Sequence, residues 1–435
     1  MPEKTCALYT LGCKVNQYET EALKKVFRDR GYELVDFKEK ADVYVVNTCA
    51  VTNLSASKSR QAIRKALKQN PQAKIIVVGC YAQASPKEIQ DIGGIALILG
   101  TQEKNRLGEL LDSLEIGQET HCLVGDIGQA KEFSHLDTGD YQERTRAFIK
   151  IQEGCEQFCS YCLIPYMRGP MRSRPPEKVL EEVTRLVGEG FLEIVLIGIH
   201  LGVYGKENLQ QQVSLASLLE KIVKIEGLKR IRLGSLEPTD IDENLLRVIS
   251  SSEKICPHLH IPLQSGENEI LQAMNRGYTT EDYAKLIERI RQLIPLAAIS
   301  TDIMVGFPGE TEEHFSKIMS FVKEIQFSRM HVFPYSKRPG TPAAQFPNQV
   351  PSKVKEERSA KLRKLAKEMT CKYEEKFLGK IEEVLVEEEK MGKLEGLTPH
   401  YLKIFFAGGE DLLGKIVPVE IIGLGEDYLE GRIKE

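Results

Sequence analysis

Between residues 5 and 115 short apolar runs alternate with amphipathic stretches. TCALYTLG is followed by a helical pattern from about Gln17 to Arg30, DVYVVNT by one from about Ser55 to Gln69, and KIIVVG by a helix near Pro86. Strand-length apolar runs joined by helix-period segments predict βαβα units around a parallel sheet. Residues 118–145 are polar, weakly periodic and partly acidic, and read as a linker. From Arg146 the alternation resumes, with candidate strands AFIKIQE, EIVLIGI, RIRLGS, HLHIPLQ, AISTDIMVG and RMHVFPY. Helical patterns at about 177–189, 214–226, 240–251, 267–275, 281–293 and 311–325 separate them. Six βα units in series predict a barrel or partial barrel. A Lys-, Arg- and Glu-rich helix is expected near 351–377. Beyond Ile381, EEVLVEE, KLEGLT, YLKIFF, GKIVPVEIIG and YLEGRI read as short strands parted by glycine turns, which suits a small all-β barrel. The fold class is therefore α/β: an N-terminal parallel-sheet α/β domain (1–117), a linker (118–145), a central partial (β/α)6 barrel (146–370) and a C-terminal β-barrel (371–435).

Composition narrows the class. A chain of 435 residues, 42% hydrophobic and 28% charged, is an ordinary globular protein with room for two or three domains. A net charge of −4 excludes a uniformly basic nucleic-acid coat, but basic residues cluster locally. Arg168, Arg172 and Arg174 form one group, Lys58, Arg60, Arg64, Lys65 and Lys68 share a predicted helix, and 353–380 is rich in Lys and Arg; each group could hold phosphates or simply be a solvated face. The N-terminus lacks a basic segment leading into an apolar run, and no apolar run reaches the roughly 18 residues of a membrane span. A cytoplasmic protein without a membrane partner is expected. Ten cysteines in such a compartment point to metal binding or catalysis rather than disulfides.

Six of those cysteines share informative settings. Cys13, Cys49 and Cys80 each lie just past a predicted strand, in TLGC, VVNTC and VVGC. The carboxyl ends of parallel strands share one edge, where ligands bind, so these thiols should converge. GCEQFCSYC carries Cys155, Cys159 and Cys162 within one loop after another strand. A structural zinc site needs four ligands, and only three are present locally. A cubane iron–sulfur cluster on three cysteines would leave one iron open to a further ligand. His258 or His260, on a predicted strand, could complete a metal set or be hydrogen-bonded within the fold. Cys6, Cys122, Cys256 and Cys371 share no such setting and read as structural. LIGIHLGVYG lacks GxGxxG, and PGE in Phe307-Pro308-Gly309-Glu310 is no phosphate loop.

The C-x3-C-x2-C spacing, with Tyr161 before its last cysteine, resembles the signature of the radical S-adenosylmethionine enzymes. TLGCKVNQYETE, VVNTCAVT, VVGCYAQ, GCEQFCSYCLIPYMRGPMRSRPPEKV, HLHIPLQSGENEILQAMNRGYT, DIMVGFPGETEEHF and HVFPYSKRPGTPA extend the resemblance to the methylthiotransferases of that family over nearly the whole chain. The closing β-rich segment is similar to the RNA-binding TRAM barrel. The resemblance implies a radical SAM type of central barrel and two [4Fe-4S] clusters. One, on Cys155, Cys159 and Cys162, would bind S-adenosylmethionine and deliver the electron that splits it to a 5′-deoxyadenosyl radical. The auxiliary one, on Cys13, Cys49 and Cys80, would present sulfur.

Three groups within the family act on threonylcarbamoyladenosine in tRNA, on isopentenyladenosine in tRNA, or on an aspartate of a ribosomal protein. Thr10–Asn16 and 258–266 resemble the first group most, which implies methylthiolation at C2 of that adenine beside the anticodon. Tyr161, Gly198, Glu237, Gln264 and Gly306 lie at or near strand ends where the cofactor would bind; Gly198 and Gly306 could instead serve turns, and Glu237 could cap the helix at Pro238. Arg172, Arg174 and Lys403 are candidate phosphate contacts. The implied partners are tRNA, a reductase or flavodoxin-type electron donor and a sulfur donor. A non-catalytic metal-cluster protein that binds RNA is the alternative of another class.

Overall fold

The computed structural model describes residues 4–113, 119–134, 136, 139, 145–207 and 213–434. The chain forms two compact units, one of Met1–Gln142, Gln152–Arg174 and Ser336–Ala344, the other of Glu143–Ile151, Pro175–Tyr335 and Gln345–Glu435.

In the first unit, β1 (Thr5–Thr10), β2 (Glu33–Val35), β3 (Val43–Thr48), β4 (Lys74–Gly79), β5 (Leu97–Leu99) and β6 (His121–Leu123) form a parallel sheet ordered β2-β1-β3-β4-β5-β6. β3 is buried along its whole length and β4 nearly so, which is why VYVVNT and KIIVVG read as continuous rather than alternating apolar runs. The helices Lys14–Arg28 and Asn53–Gln69 cover the sheet through apolar stripes that include Leu23 and Phe27 on the first and Ile63 and Ala66 on the second. The order reverses between β1 and β3, creating the crevice at the carboxyl ends where such sheets bind ligands. Part of the expected linker departs from that reading: residues 121–123 supply the sixth strand. Three residues with a histidine among them are too few to show a strand period. Residues 118, 135, 137–138 and 140–144 of the same stretch lie outside the described residues.

The second unit contains six parallel strands in chain order: Arg146–Lys150, Glu193–Ile197, Arg230–Leu233, His258–His260, Ala298–Val305 and Arg329–Pro334. They pair as two triplets, which the bridges Ile231↔Ile255 and Ser235↔His260 join into one arc. With intervening helices such as Pro176–Gly188 and Glu312–Ile325, this is the expected partial (β/α)6 barrel. Capping boxes at Thr279 and Thr311 start two of the helices where the polar-to-apolar pattern changes.

After the helix Ser352–Glu374, a closed five-stranded barrel forms from Ile381–Lys390, Lys393–Leu397, Lys403–Phe406, Leu429–Ile433 and Ile416–Leu424. Its core of Val384, Leu394, Ile404 and Val419 continues into Tyr373, Phe377 and Ala298. Two arginines of the (β/α)6 strands fasten it. Arg230 donates to the carbonyls of Leu397 (3.1 Å) and Glu383 (2.7 Å), and Arg232 to those of Pro399 (3.0 Å) and Thr398 (3.0 Å). Buried Glu193 accepts from Arg232 at 2.7 Å, while Tyr401 lies under the Arg232 guanidinium. Among the described residues no helix is long and apolar enough to cross a membrane.

Candidate metal and cofactor centre

The loop cysteines belong to the first unit, whose short ribbon pairs Gln152–Glu153 with Arg172–Ser173. Gly154 has φ +79°, and a Cβ there would lie 1.7 Å from the Pro170 carbonyl oxygen, so only glycine fits this turn. Cys155 N–H donates to the Gly169 carbonyl at 3.0 Å and Cys162 N–H to that of Cys159 at 3.0 Å, which closes the loop on itself. Ile164 N–H donates to Cys162 Sγ at 3.4 Å. Tyr161 is half-buried, and exposed Phe158 and Tyr166 pack edge to face with each other.

The other trio is built by strand ends. Cys13 is the N-terminal cap of the helix Lys14–Arg28, Cys49 follows β3, and Cys80 opens a short helix directly after β4. A Cβ on Gly12 would lie 3.0 Å from Cys49 Cβ, so the β1 turn runs against the β3 cysteine. Cys49 N–H donates to Ser59 Oγ at 3.2 Å, and the same hydroxyl donates back to Cys49 O at 3.1 Å. Asn16 Nδ2 donates to the carbonyls of Leu11 (2.7 Å) and Thr48 (3.1 Å), tying the β1 and β3 ends together. Burial, reinforced by the neighbouring Cys80 and Cys13 thiols, pushes the Cys49 thiol up to about 11.

Sulfurs sharing one tetrahedral zinc at about 2.3 Å would lie under roughly 4 Å apart. Among the described residues only Glu267, Glu269 and His314 place three ligand atoms within 4.8 Å of one another, and neither cysteine trio does. Three thiols without a fourth local ligand are the donor set of a multi-iron group with one open iron, whose cysteines bind different irons.

Arg168, fully buried, joins the loop segment to the N-terminal trio. Its Nε donates to Cys80 Sγ at 3.4 Å, its Nη1 to Glu153 at 2.9 Å and Glu19 at 2.5 Å, and its Nη2 to Asn16 Oδ1 at 2.6 Å. Lys104 also pairs with Glu19, and Arg172 approaches Glu153 at 3.8 Å. Burial opposes the Arg168 charge, but Cys80, Glu19 and Glu153 outweigh it and raise its pKa. The network holds three cations, Arg168, Arg172 and Lys104, against two carboxylates, Glu19 and Glu153, and directs one guanidinium edge at Cys80. Sequence reasoning missed Asn16, Glu19 and Glu153: they are polar residues buried beside apolar ones, so periodicity cannot mark them.

The remaining expected site residues divide. Gln264 adopts φ +65°, and its buried Oε1 has no partner among the described residues, as a ligand-facing acceptor would. Gly198 directly follows the strand Glu193–Ile197. Glu237 pairs with Arg276 and makes no side-chain cap to the turn at Pro238. Gly306 N–H donates to Glu310, at 3.0 Å to either carboxylate oxygen. His258 and His260 share Ser300 Oγ, at 3.0 Å each, as hydrogen-bonded strand residues do. Arg172 and Arg174, the expected phosphate contacts, are 2% and 4% exposed. Arg172 spends its donors on the carbonyls of Pro170 and Arg168. Lys403 is half-buried and pairs with Glu395 at 2.9 Å. Cys6 and Cys256 are buried thiols raised by desolvation.

Residues 5–100 match the uncharacterized protein family UPF0004, residues 149–322 the radical SAM superfamily and residues 375–434 the TRAM domain. Threonylcarbamoyladenosine tRNA methylthiotransferase MtaB of Bacillus subtilis (strain 168) is 46% identical over 434 residues, covering 98% of this chain and 96% of its own. The chain belongs to the methylthiotransferase family of radical S-adenosylmethionine enzymes. Other methylthiotransferase relatives include the protein named MtaB in Aquifex aeolicus (strain VF5), 41% identical over 95% of this chain and 99% of that one. A tRNA-2-methylthio-N(6)-dimethylallyladenosine synthase of Pelotomaculum thermopropionicum (strain DSM 13744 / JCM 10971 / SI) is 39% identical, covering 98% and 97%. The fold is shared with the radical S-adenosylmethionine methyltransferase TsrM of Kitasatospora setae at TM-score 0.59 and 17% identity, over 78% of this chain and 77% of that one. Membership in this methylthiotransferase family brings S-adenosylmethionine and a [4Fe-4S] cluster as cofactors.

Proposed function

We propose that this chain replaces the C2 hydrogen of N6-threonylcarbamoyladenosine in tRNA by a methylthio group. The observation that carries the proposal is the gathering of both cysteine trios into one compact unit, with Arg168 reaching from the loop segment to Cys80 at 3.4 Å. Cys155, Cys159 and Cys162 would hold one [4Fe-4S] cluster, and Cys13, Cys49 and Cys80 a second. When bound, the loop cluster and S-adenosylmethionine supply radical chemistry for an unactivated C–H bond that no side-chain acid or base could break. Cys13, Cys49 and Cys80 fix the place where sulfur is presented, and Arg168 holds Cys80 in position by a charged hydrogen bond. Tyr161, Gly198, Glu237, Gln264 and Gly306 are assigned to the cofactor's surroundings, with Gln264 Oε1 the acceptor available to it.

In the second unit a cavity of about 390 Å³ between the C-terminal barrel and the helix Ser352–Glu374 is lined by Arg329, Arg363, Lys367, His400, Tyr401 and Lys403. Four full cations share the groove with the carboxylates of Glu374 and Asp427, and this excess of positive charge suits an RNA backbone. The work is assigned to the cytoplasm, with a flavodoxin-type or reductase electron donor and a separate sulfur donor. Anaerobic reconstitution tests the cofactor assignment: roughly eight irons per chain and reductive release of 5′-deoxyadenosine are expected. Nucleoside mass analysis of tRNA from cells lacking the gene tests the substrate. Loss of the methylthio form of threonylcarbamoyladenosine supports the proposal, and an unchanged profile overturns it. A dimethylallyladenosine substrate, the name carried by the 39% identical relative, is the second reading the same analysis separates.

A further inference from the structure

The first unit holds a cleft of about 540 Å³ whose walls include Asn53, Arg60, Tyr81, Glu88, Tyr166 and Arg338. The walls continue from both cysteine trios: Tyr81 follows Cys80, Asn53 lies four residues past Cys49, and Leu163, also on the wall, follows Cys162. The charges inside do not balance. Glu88 is already engaged, accepting from Tyr81 OH at 2.7 Å and facing Arg60 at 3.7 Å, while Arg60 also donates to Tyr81 OH at 2.9 Å. Arg338 is 8% exposed, donates through Nη1 to Asn53 Oδ1, and keeps a buried Nε with no partner among the described residues. With Glu88 engaged, Arg338 is a second guanidinium on the cleft wall, a cation suited to an anionic ligand. Exposed Tyr166, edge to face with Phe158, offers a ring at the rim on which a base can stack.

We infer that this cleft is an oxyanion subsite for the substrate, in which Arg338 receives a carboxylate or phosphate oxygen while Tyr166 flanks the base. The inference rests on the proposed tRNA reading and names the group that reading leaves unassigned. Two oxyanions of such a substrate fit: the carboxylate of the threonylcarbamoyl substituent and a backbone phosphate beside the modified base. A fork of donors on a planar guanidinium suits either.

Reconstituted holoenzyme and its Arg338→Gln and Arg338→Lys variants would be titrated with three fluorescent anticodon stem-loops. One carries threonylcarbamoyladenosine, one its threonyl-amide analogue and one plain adenosine, so that the phosphates are constant, the amide changes only the carboxylate, and adenosine lacks the whole substituent. If the carboxylate is the ligand, wild type prefers the first stem-loop by about tenfold to a hundredfold, R338Q removes that preference, and R338K retains part of it. If a phosphate is the ligand, R338Q weakens all three stem-loops by a similar factor at constant salt. Unchanged affinities for all three overturn the subsite. A variant that is merely misfolded is recognised by loss of reductive cofactor cleavage and of iron. Failure of the wild type to methylthiolate the first stem-loop would strike the substrate reading, while the phosphate arm would still report on Arg338.

Discussion

Replacing Arg168 by glutamine removes the one side chain that touches Glu19, Glu153, Asn16 and Cys80 together. Glu19 keeps Lys104, and Glu153 loses its 2.9 Å ion pair with Arg168. Breaking one side of a buried ion pair costs about 3–5 kcal/mol, because the surviving charge stays desolvated. Against a domain stability of about 5–15 kcal/mol, that is a large share. The chain has no tryptophan, so the loss is best read by amide hydrogen exchange on peptides spanning β1, β3 and β4 in the apoprotein under reducing conditions. Opening of these strands should become easier by about two to four orders of magnitude in the exchange equilibrium. Adding Glu153→Gln to Arg168→Gln removes the carboxylate that Arg168 paired with, so the double variant should be at least about 1.5 kcal/mol more protected than the single effects sum to. An Arg168→Gln protein within about 1 kcal/mol of wild type, or strictly additive effects, would refute the picture of a paired buried network.

Cys13→Ala should keep reductive cleavage of S-adenosylmethionine and lose sulfur insertion, whereas Cys159→Ala should lose both; each should lower reconstituted iron from roughly eight to roughly four per chain. Equal loss of cleavage in the two variants would contradict separate roles for the trios. Gly154→Ala should reduce the iron held by the loop without reducing that held by the N-terminal trio, because its Cβ would collide with the Pro170 carbonyl; Mössbauer quantitation of the two sites checks this. Burial works against the Glu193 charge, but Arg232 and its neighbours win and hold its carboxyl below the ordinary carboxylate value. Its contribution is therefore complete above the unfolded value of about 4.3 and is lost as pH falls through the folded one. Glu193→Gln should flatten the acid limb of the stability–pH curve between about pH 5 and 3, and an unchanged limb would reject that pairing.

The strands and their parallel arrangement were legible because each depends on local chemistry. VVNTC and VVGC mark their own strand ends, and CEQFCSYC shows its spacing in one loop. What decides the environment of Cys80 was not legible. Arg168 lies 88 positions away and reads as one member of a basic surface cluster, yet it is buried. The burial of Arg172 and Arg174 was hidden for the same reason: a guanidinium is the same letter at the surface and in the interior. Gln264 was marked by its place after a strand, but its left-handed backbone and unmatched Oε1 appear only once Ile303 pairs beside it. The sixth strand was missed because its partner, Leu97–Leu99, supplies the order that three residues cannot encode.

The anchoring of the C-terminal barrel by Arg230 and Arg232 has a mechanical corollary. Four main-chain carbonyls are gripped by two side chains that themselves grow from the (β/α)6 strands, so the barrel is not a module swinging on a tether. An RNA arm held by such a barrel is presented at a fixed offset from those strands, without the spread of positions a flexible linker imposes. The seated barrel then behaves as a jig: whatever it grips travels with the (β/α)6 strands as one piece.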